Sequence, residues 1–293
     1  MIAQFALRLI CGMSLMWAVM PRRQVTSGFF RIQMLVVMGL GVLATLNEAM
    51  QAQSAIREAG SSELAAVLPS PLFASLPSAL IAALGFVGSA LWTLERRTGA
   101  AGIGFGVLFV SAALIGIPKS IVGYDNYIIF IGDTIWESGT PAVSSACPWL
   151  LEVASEFAGA AVLGGSVVGM LLGHWYLTAP TMSIDPLKRI NLFLGAAGVL
   201  RLLVSSAVLI LWWSGAFDSA EAASRWESVP KAWLGLRWLA GVIGPLVVSL
   251  MVWRILKYRN TQAATGVLFV GVILAFMGDI MAALLLQETK LPL

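Results

Sequence analysis

The sequence predicts an all-α integral membrane protein of about eight transmembrane helices, built as two tandem, parallel-related four-helix bundles. Three observations support this fold class. Hydrophobic residues make up 59% of the chain and charged residues only 11%, whereas a soluble domain carries about 25% charged residues. The apolar residues occur in runs near the length of about 20 that a helix needs to cross the hydrocarbon core. Finally, segments of the first half recur in the second, which indicates a duplicated unit. The composition and the apolar runs together predict that the surface of the protein faces lipid.

Charged or proline-containing breaks separate the apolar runs and set the predicted spans. The first run begins at the second residue, with no basic segment before it and no Ala-x-Ala-like site after it, which favours a retained helix over a signal peptide. The alternating ten-residue segments of a transmembrane barrel are absent from the sequence. The predicted spans cover residues 2–20, 31–50, 77–94, 101–120, 148–178, 190–213, 232–253 and 263–286.

Charge alternates between successive connections, which predicts the orientation in the membrane. The connections that precede the even-numbered spans are short and basic, and short basic loops stay in the cytoplasm. The opposite connections are longer and mostly acidic. We therefore expect a protein of the cell (inner) membrane with both termini on the extracytoplasmic side. The basic residues are Arg22, Arg23, Arg31, Arg96, Arg97, Lys188, Arg189, Arg254, Lys257 and Arg259.

An internal repeat with an offset of 158–161 residues indicates duplication. Gly106–Val110 reads Gly-Val-Leu-Phe-Val, and the same five residues recur at Gly266–Val270. Four spans in each half give both halves the same orientation, so the repeat is parallel and not inverted. We expect a first four-helix repeat over 1–120, an extracytoplasmic connection over 121–147 and a second repeat over 148–293. Further matches in register are Pro21 with Pro180, Arg31 with Arg189, Gly85 with Gly244, and Trp92 with Trp253.

Ionisable residues inside the predicted spans are the candidate functional residues, because a charge in the bilayer is costly and marks a functional site or a buried pair. Arg201 lies near the midplane, and Glu152 and Glu156 share one helix face, one turn apart. Asp279 is the repeat counterpart of Lys119, which predicts opposite charges at equivalent depth across the interface of the two halves. The candidates for a quinone site or a proton pathway are Arg201, Glu156, Asp279, Glu152, Lys119 and Glu48.

Two interpretations of these charges stay open. They form either a polar pocket that opens to the outside and binds a quinone headgroup, a proton or a small solute, or a set of ion pairs that lock helix register. His174, the only histidine, is a candidate interfacial residue and cannot supply bis-histidine haem ligation alone. Cys11 and Cys147 belong to no metal-binding motif. We therefore expect no metal and no intrinsic cofactor, and a bound quinone or lipid is the ligand considered.

The first functional hypothesis is a quinone-interacting anchor subunit of a multi-subunit respiratory or redox complex, with partner subunits on the extracytoplasmic side. The predicted architecture resembles the polysulfide-reductase type of quinol-interacting subunit, which also has two four-helix bundles, and the resemblance is one of architecture alone. The alternatives are a small-solute or ion transporter and a membrane-embedded enzyme or assembly factor. A non-catalytic subunit is favoured over a stand-alone enzyme, and no nucleic-acid-binding patch is present.

Overall fold

The computed structural model describes residues 2–59, 70–116, 146–179, 181–214 and 230–289, and the regular elements within these ranges are helices. Eight of them are long and apolar enough to cross a membrane, as the sequence predicts. A short 3-10 turn, Arg22–Gln24, joins the first two. The helices are α1 (Ile2–Val19), α2 (Ser27–Ala59), α3 (Pro71–Thr93), α4 (Arg97–Ile115), α5 (Ala146–Thr178), α6 (Asp185–Trp213), α7 (Lys231–Lys257) and α8 (Thr261–Thr289).

Helix α2 is longer than the sequence predicts and continues to Ala59, well beyond the expected end at residue 50. The added segment is polar, which ended the predicted span, but it contains no glycine or proline before Gly60. Ala, Gln and Glu are favourable helix residues. The Gln51 amide also donates a 2.8 Å hydrogen bond to the Asn47 side chain one turn earlier. Hydropathy therefore predicts only the apolar part of this helix, whereas the helix propensity of the residues that follow extends it to Ala59.

Helix α3 begins at Pro71 and not near residue 77 as predicted. Proline suits the first helical turn, where its missing N–H has no partner to lose. The Ser70 side chain caps this start by accepting a hydrogen bond from the Phe73 N–H at 3.4 Å. The helix then passes through Pro77 without ending. Proline is therefore a start signal at 71 and a tolerated interior residue at 77.

Four short connections lie together at one end of the molecule, which we call the basic end, and we call the opposite end the far end. Their described residues are 20–26, 94–96, 179 with 181–184, and 258–260. The Trp175 indole donates to the Thr26 hydroxyl at 2.8 Å, and the Arg189 guanidinium donates to the Val19 carbonyl at 3.4 Å. These two bonds tie the α5–α6 connection to the α1–α2 connection. The basic residues of these connections and of the adjoining helix ends thus lie at a single end.

Two of these connections share one backbone conformation. The α3–α4 and α7–α8 turns each contain three residues, and the middle residue of each, Glu95 and Arg259, has φ of 55°. This left-handed conformation is uncommon for residues other than glycine. The two halves therefore form the same tight turn at corresponding points of their helix order.

Each helix packs against its neighbours in sequence, and each half also closes on itself. In the first half α1 contacts α2 and α4, while α3 contacts α2 and α4. In the second half α5 contacts α6 and α8, while α7 contacts the same two helices. The main contact between the halves joins α1 to α5. These are the most enclosed helices, with 67% and 78% of their apolar windows buried.

Small residues allow α1 and α5 to approach closely. A Cβ atom added to Gly12 would lie 1.8 Å from the Ala160 carbonyl oxygen, and one added to Gly164 would lie 1.9 Å from the Gly12 carbonyl carbon. Ala160 and Gly164 are four residues apart and so face the same partner. This is the small-xxx-small pattern by which helices pack where the solvent is lipid.

Candidate functional site

A buried ionic cluster joins the two halves, and Arg8 of α1 is its centre. The Arg8 guanidinium donates to both carboxylate oxygens of Glu156 on α5, through Nε to Oε2 and through Nη2 to Oε1, the second at 2.5 Å. Its Nη1 donates to Asp279 Oδ1 on α8 at 2.8 Å. All three side chains are buried. One residue of the first half thus binds two acidic residues of the second.

The geometry uses the planar fork of the guanidinium. Two nearly parallel N–H groups match a carboxylate, and such bidentate charge-assisted bonds are shorter and stronger than neutral ones. A third N–H group, on Nη1, remains to donate to Asp279. A lysine ammonium lacks this planar arrangement of donors, so it would not bind both acids in the same geometry. Arg8 lies about 9 Å from the start of α1 at 1.5 Å per residue, so the cluster lies nearer the far end than the basic end.

Arg201 of α6 lies beside this cluster and bonds to α5. Its Nη1 donates to the Ser155 carbonyl oxygen and, at 2.9 Å, to the Ser155 hydroxyl. A Cβ atom on Gly159 would lie 3.1 Å from the same Nη1, so the missing side chain leaves the guanidinium its place on α5. Asp279 and Glu156 attract the positively charged Arg201 electrostatically, whereas Arg8 repels it.

Arg237 of α7 completes the set. Its side chain folds along its own helix, where a Cβ atom on Gly241 would lie 2.1 Å from Nη1. A Cβ atom on Gly278 of α8 would lie 2.1 Å from the Gly241 Cα, so the two helices touch at this glycine pair. Arg237 is 2% exposed. Asp279 attracts its charge electrostatically, whereas Arg201 and Arg8 repel it. We call Arg8, Glu156, Arg201, Arg237 and Asp279 the charge network.

A π-helical segment in α7 shapes the position of Arg237. Leu239–Ile243 has this conformation, and the Gly244 N–H donates to the Leu239 carbonyl five residues earlier. Pro245 follows immediately, and its ring nitrogen cannot donate to the Gly241 carbonyl. Such π segments are rare and occur frequently at functional sites. The Gly-Pro pair of the sequence therefore produces a local widening of the helix next to the charge network.

The remaining sequence candidates occupy separate positions. Glu152 is buried one turn before Glu156 on α5, beside the network. Glu48 is buried on α2 near Ser78 of α3, and its Oε2 has no hydrogen-bond partner among the described residues. His174 is exposed near the basic end of α5. Lys119, and with it the predicted pair with Asp279, lies outside the described residues.

Neither Arg8 nor Arg237 is among the candidate residues that the sequence predicts. Arg8 was passed over because a charge a few residues inside a short terminal span looks like part of the helix end. No local sequence pattern distinguishes it, because its partners Glu156 and Asp279 lie in the other half of the chain. Among the described residues, no group of three or more His, Cys, Asp or Glu side chains is arranged to hold a metal ion.

No protein-family model, curated protein or solved structure matches this chain. Its function is therefore argued from the charge network and from the distribution of polar and apolar residues.

Proposed function

We propose that this chain is a polytopic inner-membrane protein that serves as a quinone-interacting anchor subunit of a multi-subunit redox complex. The observation that carries the proposal is the charge network, in which ionisable side chains from five helices meet inside an otherwise apolar molecule.

Membrane insertion is supported by a surface that is inverted relative to that of a soluble protein. Large apolar side chains such as Phe73, Phe109 and Leu192 are more than 70% exposed, while the charge network is buried. An apolar surface of this extent is stable only in contact with lipid. The basic end, with its many Lys and Arg residues, faces the cytoplasm by the positive-inside rule. Both termini then lie on the extracytoplasmic side.

The contacts within each half support two tandem four-helix bundles. Each half closes through its first and last helices, and each has the same three-residue turn between its third and fourth helices. The charge network then lies at the junction of the two bundles and toward the extracytoplasmic face. Its members from α5 to α8 surround the single contribution of the first bundle, Arg8.

The chemistry of quinone favours a site of this kind. Quinone reduction and quinol oxidation move protons together with electrons, and a proton must have acceptors within the membrane. Glu156 and Asp279 carry carboxylates that can accept a proton within the membrane-spanning helices, and Arg8 binds both. Protonation of either carboxylate weakens its charge-assisted bond to Arg8. Proton transfer is thereby coupled to the contact between the two halves, and the electrons come from partner subunits.

The test compares variants within the intact complex isolated from native membranes. We expect Glu156→Gln and Asp279→Asn to lower quinol-dependent electron transfer at least tenfold while the complex remains assembled. Glu288→Gln is the matched control because Glu288 lies on α8 and is exposed. Unchanged activity in both network variants would contradict a role for the network in quinone chemistry.

A second candidate, a small-solute or ion transporter, is favoured by one specific observation. The Arg8 bonds to Glu156 and Asp279 join the two halves, and α7 has its π-helical segment beside them. Ion pairs between two halves that break and reform are suited to a gate, and irregular helix segments are typical of transporter sites. Solute uptake into vesicles that contain only this chain would support this candidate over the anchor subunit.

A further inference from the structure

A second polar site lies at the basic end, inside the ring of α1, α2, α3 and α4. We call it the basic-end recess and define it by six of its lining residues, Trp17, Arg22, Phe30, Met34, Trp92 and Phe105. The Phe30 and Trp92 rings are stacked, with centroids 4.5 Å apart and an interplanar angle of 14°. The open space is small and accommodates about one water-sized group. It is distant from the charge network, which lies toward the far end.

Two hydrogen-bond donors in this recess have no acceptor. The indole Nε1 atoms of Trp17 and Trp92 are buried and lack a partner among the described residues, although each residue is only 4% exposed. Buried indole N–H groups normally find an acceptor. At the same end of the molecule the Trp175 indole has one, the Thr26 hydroxyl. The acceptor for Trp17 and Trp92 is therefore expected from a molecule outside the described chain.

Arg22 places a positive charge at the same recess. Its Nε donates to the Trp17 carbonyl at 3.2 Å, and its guanidinium lies 4.7 Å from the centroid of the Phe105 ring. Partial burial lowers the pKa of Arg22 below its ordinary value, and no carboxylate of the described residues acts to raise it. The guanidinium is thus held in a fixed position with its charge uncompensated.

The surroundings of the recess add to this charge. Arg23 and Arg96 belong to the two connections beside it, Arg97 begins α4, and all three are exposed. Glu95 is the only acid in these connections and is also exposed. The local excess of positive charge favours an anion over a neutral group such as a quinone headgroup.

The corresponding donor of the second half has an acceptor within the chain. By the offset of 159 that relates Pro21 to Pro180, the counterpart of Trp17 is Tyr176. Tyr176 is equally buried, but its hydroxyl donates to the Ser183 carbonyl oxygen of the adjacent connection. The donor that the first half leaves without a partner is satisfied within the chain in the second half.

We propose that the basic-end recess binds a phosphate group, and that a phospholipid of the surrounding membrane supplies it. One phosphate oxygen fills the small space and accepts from the indole N–H groups, and the Arg22 guanidinium compensates the charge. The position at helix ends matches the depth at which lipid headgroups lie. This inference requires that the chain lie in a membrane, as proposed above, but it does not depend on a role in quinone chemistry.

The experiment measures lipid binding to the purified full-length protein after delipidation in detergent. Dioleoyl phosphatidylglycerol is added, bound lipid is counted by native mass spectrometry, and the Tm is recorded with and without lipid. We expect the wild type to retain lipid and gain Tm. We expect Arg22→Gln and Trp92→Phe to bind about tenfold more weakly, as the loss of one charge-assisted hydrogen bond predicts.

Two matched controls lie at the same end. Arg254→Gln removes an exposed guanidinium, and Trp253→Phe removes an indole that is 51% exposed, so both should bind lipid as the wild type does. Arg22 lies in a connection outside the long helices, which keeps the Arg22→Gln variant informative if Trp92→Phe does not fold.

Three results would overturn the inference. Equal loss of lipid in the test variants and the controls would mean that binding is nonspecific. An equal Tm gain from inorganic phosphate alone would exclude a lipid as the source. A gain from decylubiquinone, but not from phosphatidylglycerol, that Arg22→Gln abolishes would assign the recess to a quinone. Failure of lipid binding leaves the membrane and quinone proposals standing, because those depend on the charge network.

Discussion

The charge network and the basic-end recess are both polar sites in an apolar molecule, and they differ in how their polar groups are satisfied. In the network Arg8 donates to Glu156 and Asp279, so a guanidinium and two carboxylates compensate one another. In the recess two buried indole N–H groups and one guanidinium have no compensating acid among the described residues. The Arg8 guanidinium therefore has its partners within the chain, whereas for the second site we propose a phosphate of a membrane lipid as the partner.

This difference has energetic consequences. Removing one member of a compensated buried set leaves an unpaired charge, which typically costs about 3–5 kcal/mol. Removing a donor that has no partner relieves a desolvation penalty of about 1–3 kcal/mol. Mutations in the network should therefore change stability strongly, and mutations in the recess should change ligand binding more than stability.

The largest effect is expected from Arg8→Leu. Both Glu156 and Asp279 would lose their guanidinium while remaining buried, so we expect the free energy of unfolding to fall by about 3–5 kcal/mol. The measurement is unfolding in mixed detergent micelles. Arg57→Leu is the control, because Arg57 is an exposed residue of α2 and should change stability little.

A triple variant sharpens this prediction. Arg8→Leu combined with Glu156→Gln and Asp279→Asn removes the charges of all three residues together, and we expect it to regain part of the lost stability, since Arg201 and Arg237 keep their buried charges. A triple variant as unstable as Arg8→Leu alone would show that packing around Arg8, and not charge compensation, determines its effect.

The next largest effect is expected where the halves touch. Gly164→Ala would place a Cβ atom against the Gly12 backbone, which must force α1 and α5 apart. We expect a loss of about 1–3 kcal/mol, measured as above. Gly266→Ala is the matched control, since no atom lies within 4 Å of the added Cβ and alanine favours helix. Equal effects of the two substitutions would contradict the close approach.

A smaller effect is expected beside the π-helical segment. Gly241→Ala would displace the Arg237 guanidinium, whereas Gly235→Ala in the same helix meets no atom within 4 Å. We expect Gly241→Ala to cost about 1–2 kcal/mol and to lower quinol-dependent activity, and Gly235→Ala to do neither. Normal activity of Gly241→Ala would separate Arg237 from the function of the network.

The smallest effect on stability is expected in the recess. Trp92→Phe removes an N–H that has no partner and keeps a ring that can stack on Phe30, so delipidated protein should lose less than about 1 kcal/mol. Asn191→Ala is the comparison, because the Asn191 amide donates to the Ser249 carbonyl at 3.0 Å and should cost more. A larger loss for Trp92→Phe would contradict an incomplete site.

The sequence predicts the eight long apolar helices well, because crossing length and hydropathy are local properties. Helix ends are predicted less well, as α2 and α3 illustrate, since capping, propensity and proline position extend them beyond the apolar run. Hydropathy does not predict the π-helical segment either, because its residues are as apolar as those of a regular transmembrane helix. Only the Gly244–Pro245 pair indicates an irregularity there, and its form depends on the packing of α7 against α8.

The candidate site was predicted in part. Glu152, Glu156, Arg201 and Asp279 are local anomalies in apolar runs, and they lie in or beside one cluster. Arg8 was missed because its role depends on a contact between the halves, which no local pattern encodes. The repeat offset of 159 would place Gly12 level with Leu171, yet Gly12 contacts Gly164. The contact on α5 is thus seven residues, or about 10 Å at 1.5 Å per residue, from the position that the repeat offset predicts.

Purification from native membranes in a mild detergent tests the proposed role of this chain as the anchor of a redox complex. Co-purifying chains are identified by mass spectrometry, and an absorption spectrum of the same sample is recorded. If the chain is an anchor subunit, haem or iron–sulfur subunits should co-purify with it in stoichiometric amount, together with bound quinone. A colourless protein that purifies without partners would contradict the anchor role and favour the transporter.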